Sequence, residues 1–368
     1  MIADNHIGEI RRREAGFFPS ERTKKIAESL LIPLGAIAAA LFIFMIFLAL
    51  KGADPLTYFK LVWRGAFGTM FSLENTLQRA SPLILAALCV AIPAQLGLVI
   101  IGGEGAIVLG GLAAAVTGLV LEGLPGAVVI VAMAVSAASA GGLLIGVSGY
   151  LKAWRGLNET IVSLLLVYIA IALFNALVEG PMRDPASLNK PSTGELDAAY
   201  RLGHLPGFDV HPGIVIGAVL AGVAWLVIFR TPLGFASRVV GGNGIAAGFQ
   251  GIPVKRLILM ACLAGGACAG LAGMIEVSAV HGRANDSLAA GYGYTGILIA
   301  FLARQNPIAI VPMALLLAGI SAANGLIQRH MGLPDATAAV LQGFIFLSIL
   351  ASEAVYGRLP WFAAKGSS

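Results

Sequence analysis

Ten stretches of the chain are apolar over about 16 to 25 positions each, and short polar or glycine-rich runs separate them. A helix needs about 20 such residues to cross a hydrocarbon core about 30 Å thick. The pattern therefore predicts spans at 26–50, 81–101, 103–121, 125–149, 160–178, 213–229, 257–277, 287–303, 308–328 and 336–351. The eighth is short beyond Tyr294, so it crosses only if the run Gly291 to Tyr294 is included, and otherwise it is re-entrant. Between the first two spans, residues 58–77 mix apolar and basic positions as an amphipathic helix lying in the membrane interface would.

Composition agrees with that pattern. The 368 residues are 58% hydrophobic and 12% charged, with a mean hydropathy of +0.88, whereas soluble domains carry about 25% charged residues. Forty-seven glycines against 8% aromatics suit helices packed through small residues better than a barrel with aromatic girdles. The fold class predicted is all-α, a polytopic bundle of about ten transmembrane helices. Cys89, Cys262 and Cys268 fall in apolar runs without metal-ligand spacing and read as packing residues.

Charge sets the orientation. If the N-terminus is inside, fifteen of the 24 basic residues fall on cytoplasmic segments, Arg11–Arg13, Lys24, Lys25, Lys152 and Arg155 among them, which predicts both termini in the cytoplasm. The net charge of +5 thus reads as an orientation signal, and no nucleic-acid partner is implied. The first apolar run is too long for a signal peptide and lacks a small-x-small cleavage site, so a retained span is expected. The organisation predicted is a tail at 1–25, one membrane domain at 26–352 and a tail at 353–368. Within the domain lie an external loop at 179–212 and a cytoplasmic loop at 230–256. A faint inverted repeat shows in Gly102–Gly105 opening the third span from inside and Gly291–Tyr294 opening the eighth from outside; so many glycines also produce such a match by chance.

The loop at 230–256 is basic and glycine-rich. Asn243 is placed to cap a short helix from Gly244 to Gln250, Gly251 to end it in the left-handed conformation, and Pro253 to begin the next. Two turns of helix surfaced with Gly244, Ala246, Ala247 and Gly248 are marginal alone. They are expected to dock on a partner through Ile245 and Phe249, with Arg238, Lys255 and Arg256 meeting acidic groups or lipid headgroups; the alternative is a loop that only caps its own spans.

Polar residues inside spans are costly in lipid and mark a path or helix–helix bonds. Gln95, Glu104, Asn158, Glu159, Tyr168, Phe174 and Asn175 are the path candidates, with Glu276, Asn324 and Gln342 as further polar positions. Asn158 and Glu159 read equally well as a cap and an acid favoured at a helix N-terminus. No phosphate-binding loop, HExxH or GxSxG pattern occurs, and His6, His204, His211, His281 and His330 form no cluster in sequence, so no catalytic, cofactor or metal site is expected.

Four runs carry a family resemblance: RVVGGNGIAAGFQGIPV at 238–254, RGLNETIVSLLLVY at 155–168, GLVIIGGEGAIVLGG within 80–113 and GYGYTGILIAFLARQNP at 291–307. Together they resemble the permease subunit of an ABC importer, of the group serving nucleosides, ribose and branched-chain amino acids, and are closest to nucleoside permeases that work with basic-membrane-lipoprotein-type binding proteins. The resemblance implies a bacterial inner-membrane importer subunit with no ATPase of its own. Its expected partners are an ABC ATPase, a second and different permease chain, an external lipoprotein and the nucleoside cargo. It also implies that Asn243–Gly251 is the coupling helix seated in the ATPase, and that the helix opened by Asn158 and Glu159 lines the conduit. Gly242 and Gly244 depart from the acidic residue and proline usual in relatives, which loosens the helix start. Import of a simple sugar or a branched-chain amino acid is the alternative within the class. An ion-gradient carrier is the alternative outside it, and such a carrier has no use for an ATPase dock.

Overall fold

The computed structural model describes residues 21–187 and 190–355, with 21–34 and 353–355 as backbone only. The predicted tails, apart from 21–25 and 353–355, lie outside the described residues. Among these, every regular element is helical: α1 (Glu21–Leu50), α2 (Pro55–Phe67), α3 (Met70–Ala94), α4 (Gly103–Val120), α5 (Gly126–Arg155), α6 (Glu159–Glu179), α7 (Gly213–Arg230), α8 (Pro232–Gly242), α9 (Gly244–Phe249), α10 (Val254–Ile275), α11 (Tyr292–Leu302), α12 (Pro307–Ala322), α13 (Asn324–Met331) and α14 (Ala336–Val355). Seven helical segments among the described residues are long and apolar enough to span a bilayer: α3, α4, α5, α6, α7, α10 with its π-helical continuation Glu276–His281, and α12 continued by α13. The chain is a multi-pass membrane protein with an all-α fold.

The described residues divide into two compact units, one holding 21–56 and 335–355 and the other the described part of 57–334. In the first, α1 pairs with α14, and Phe44 and Phe47 meet Phe344 edge-on at 6.5 and 6.4 Å. The helix begins at Glu21, five residues before the predicted span.

The second unit is organised around α10, which packs on α3, α4 and α5. The contacts are made through glycine. A Cβ on Gly270 would stand 2.0 Å from the Ala137 carbonyl oxygen, one on Gly266 2.3 Å from that of Gly141, and one on Gly110 2.4 Å from Gly270 Cα. Backbones this close gain dispersion contacts that lipid tails cannot replace, as expected where helix association cannot rely on a hydrophobic drive.

Two predictions are corrected here. The segment 58–77 is not one interfacial helix. It breaks at Gly68, and Thr69 then caps α3 by accepting from the Ser72 amide at 3.1 Å. The first half is amphipathic as expected: Tyr58, Leu61, Gly65 and Ala66 are buried, with a Cβ on Gly65 standing 2.8 Å from Ala323, while Leu56 and Trp63 stay exposed. The second span is accordingly 70–94 rather than 81–101, with Pro82 inside the helix and residues 95–102 outside it. The polar run before Ser81 interrupts the hydrophobic pattern but not the helix, because Glu74 accepts from the Asp209 amide at 3.1 Å and Gln78 donates to the Asp209 carbonyl.

The eighth segment is a half-length helix. α11 has 11 residues and begins head-on against the start of α4: a Cβ on Gly293 would fall 2.2 Å from the Glu104 nitrogen. The two glycine-broken starts singled out in the sequence therefore face each other.

Candidate coupling surface and translocation path

The loop that follows α7 is more helical than its sequence suggested. Thr231 accepts from the Gly234 amide at 3.4 Å and Pro232 takes the first helical position, so α8 precedes the predicted short helix. A Thr-Pro pair is a start signal that the glycine content of the region obscured. Asn243 then caps α9 as expected, its Oδ1 accepting from the Ile245 and Ala246 amides at 3.0 Å each. Gly251 ends the turn at φ +80°, and the Ile252 amide donates to the Ala247 carbonyl at 3.1 Å.

The side chains of α9 separate into an anchor and a free face. Ala247 is buried, whereas Ile245 is 76% and Phe249 89% exposed, and Ala246 and Gly248 are exposed beside them. Cβ atoms added at Gly242 and Gly248 would meet nothing within 4 Å, and one at Gly244 only grazes Val254. Arg238, although exposed, donates from its guanidinium to the Ile228 carbonyl and lies 5.4 Å from the Phe229 ring centroid, so it staples α8 to the end of α7. Gly241 closes against the Gln95 carbonyl, and Gln95 itself donates to the carbonyls of Ala91 at 3.2 Å and Gln305 at 3.1 Å. Gln95 thus braces the turn after α3 against the turn after α11. That second turn holds Arg304 and Gln305 at φ 50° and 59°, an unusual conformation for two successive residues with side chains.

The remaining path candidates fall into three groups. Asn158 caps α6, accepting from Thr160 and Ile161 amides at 2.9 and 3.2 Å, and Glu159 pairs with Lys152 at 2.8 Å; the capping alternative is the one the geometry displays. Glu104 is buried, and its two oxygens accept from the amides of Gly291 at 2.7 Å and Gly293 at 2.6 Å. One carboxylate thereby sits at the positive ends of two opposed helices. On α6, Tyr168 is 63% exposed and Asn175 half-buried on the same face, seven residues on; Phe174 is buried on the other face with Ser163, Val167 and Ala170. Phe174 does not share the open face that Tyr168 and Asn175 offer. Tyr294, which is not among the path candidates, is 45% exposed on the first turn of α11.

At the opposite end, the long loop 179–212 folds onto residues 282–287. Thr193 and Ala284 exchange hydrogen bonds of 3.0 Å, the Leu196 amide donates to the Gly282 carbonyl at 2.8 Å, and Lys190 donates to Ser287 at 2.6 Å. Arg201 and Arg283 both pair with Glu195. His211 is buried just before α7, its Nδ1 accepting from the Gly213 amide at 3.2 Å, and burial pushes its pKa below the ordinary imidazole value.

The chain matches the family profile described as branched-chain amino acid transport system / permease component over residues 72–350. It is 31% identical to the glucose ABC transporter permease protein of Haloferax volcanii over 332 residues, 87% of each chain. It is 29% identical to the guanosine ABC transporter permease protein of Bacillus subtilis over 350 residues, 92% of this chain and 98% of the relative. The nucleoside ABC transporter permease protein of Lactococcus lactis is 26% identical over 352 residues, 93% of this chain and 95% of the relative.

Proposed function

The chain belongs to the family of branched-chain amino acid transport system permease components, and on that premise we propose that it is one permease subunit of an ATP-driven nucleoside importer in a bacterial inner membrane. It has about ten spans, arranged as an inverted repeat about the facing starts of α4 and α11, with both termini in the cytoplasm. A second, different permease chain completes the conduit. An external binding lipoprotein docks on the loop 179–212 and the adjoining 282–287, and an ABC ATPase grips α9. The chain supplies no ATPase chemistry; it receives the stroke through Ile245, Ala246, Gly248 and Phe249, while Asn243, Ala247, Gly251 and Arg238 hold the lever in shape.

The observation that carries the coupling role is the free apolar face of α9. A six-residue helix with Phe249 and Ile245 turned outward cannot be stabilised by its own burial, and it is built onto α8 and α10 by caps and a buried alanine. The nucleoside assignment is supported by the guanosine and nucleoside relatives, which match over nearly their whole lengths. The glucose relative supports a second reading, a simple-sugar importer of the same mechanism.

The test is reconstitution of the complete importer in liposomes with internal ATP and radiolabelled cargo. Guanosine uptake that depends on ATP and on the binding protein is expected. Uptake of glucose without nucleoside would select the second reading, and uptake driven by an ion gradient without ATP would overturn both.

A further inference from the structure

We infer that Tyr168 and Tyr294 form an aromatic station halfway across the membrane that holds the planar heteroaromatic ring of the cargo. The inference rests on the nucleoside reading above and names the part of the path that recognises the base.

Depth is the first observation. Tyr168 lies nine residues into the 21-residue α6, at about 1.5 Å per residue the middle of a bilayer-spanning helix. Tyr294 lies at the same level, through two close approaches on either side of Gly103–Gly105. A Cβ on Gly105 would stand 3.0 Å from Val167 Cα, and one on Gly293 2.6 Å from Glu104 Cα.

Chemistry is the second. Tyrosine favours the headgroup zone, where its ring is in hydrocarbon and its hydroxyl in water. Two phenols, 63% and 45% exposed on this chain at mid-depth, do not suit lipid tails. On α6 the face of Tyr168 and half-buried Asn175 also carries exposed Ile161 and Leu165, seven and three residues before Tyr168, so the two polar groups interrupt an otherwise apolar face at mid-depth. Phenol rings stack on a purine or pyrimidine face without regard to its edge pattern, while the hydroxyls and Asn175 offer hydrogen bonds to the ring edge or the ribose. Such a station binds broadly and weakly, which suits a site the cargo must leave.

Rigidity is the third. Tyr294 occupies the first turn of a helix whose start is fixed by Glu104 through two backbone hydrogen bonds, so one wall of the station is held in place by buried structure.

The experiment uses the whole importer in proteoliposomes, with guanosine as cargo. Tyr168→Leu and Tyr294→Leu are expected to lower uptake roughly tenfold or more, and Tyr294→Phe to keep most of it, with membrane yield and co-purification of the ATPase confirming that each variant assembles. In a second measurement, Tyr294→Cys is treated with a water-soluble methanethiosulfonate reagent; the native cysteines Cys89, Cys262 and Cys268 are all buried and give little background. Labelling that guanosine slows supports the station. Leucine variants that transport guanosine at the wild-type rate, or an introduced thiol that no aqueous reagent reaches in any state of the cycle, overturn it and leave nucleoside import standing. Wild-type importer that carries no nucleoside overturns the function reading, and the station with it.

Discussion

Glu104 shows how a charge is kept inside a spanning helix. A carboxylate in hydrocarbon is costly unless hydrogen bonds replace its water, and here each oxygen accepts a backbone amide from the start of a second helix. Removing the side chain orphans the buried Gly293 N–H, at about 1–3 kcal/mol, and the part-buried Gly291 N–H at less. Glu104→Ala is therefore expected to lower the thermal midpoint of the detergent-purified protein by several degrees. Glu104→Gln should fall between, because its amide keeps one acceptor oxygen and points a donor at a donor. An unchanged midpoint in the alanine variant would remove the clamp. The acid and the Gly-Tyr-Gly-Tyr run were both legible as unusual in the sequence, but their meeting was not, since residues 187 and 189 positions apart come together only through the packing of α3, α4 and α11. Tyr168 and Phe174 make the same point: the residue types suggested a path for both, and only the helix phase separates an open face from a buried one.

Among the elements, α10 depends on side chains that are absent. Gly270 admits the carbonyl of Ala137 where a Cβ would stand 2.0 Å away, so even alanine forces α5 and α10 apart. Gly270→Val is expected to cost more than the roughly 1–3 kcal/mol of ordinary overpacking, read as lost membrane yield and a lower midpoint. Gly222→Ala, on a face of α7 with nothing within 4 Å, should instead be neutral or stabilise the helix by up to about 1 kcal/mol. The start of α7 carries its own test. His211 is held neutral by burial, so its folded pKa lies below its unfolded value. The unfolded chain then binds more protons, and stability falls as pH drops through the unfolded imidazole range near 6.5. Amide protection factors at 205–215, taken relative to the intrinsic exchange rate at each pH, should fall between about pH 7 and 5.5, and His211→Asn should flatten that dependence. Helix ends were less legible than helices. Apolar length located the spans, and the shortness of 287–303 already pointed to the half-helix, but α3 continues through a polar stretch whose Glu74 and Gln78 are bonded to a loop more than 130 residues away.

For the whole molecule, what matters is how a short exposed lever could move a buried core. α8 and α9 are joined to the rest at points that lead inward: Arg238 to the last turn of α7, Gly241 to the backbone of Gln95, and Gln95 to the strained turn that ends α11. If α9 takes the proposed coupling role, these contacts join it to α3, α7 and α11, and α11 is the helix whose far end Glu104 holds. The free face of the lever makes the clean test possible. Gly248 has no neighbour within 4 Å of an added Cβ, so Gly248→Trp should fold and insert like the wild type and collide only with what docks there. Co-purification with the ATPase is expected to fall roughly tenfold or more, about 1.4 kcal/mol of docking free energy per factor of ten. Gly203→Trp, at an equally open position in the loop 179–212, should retain it. A Gly248→Trp importer that binds its ATPase and takes up cargo normally would show that the motor grips some other surface, and the inward chain of contacts from α9 would then be scaffolding for the loop alone.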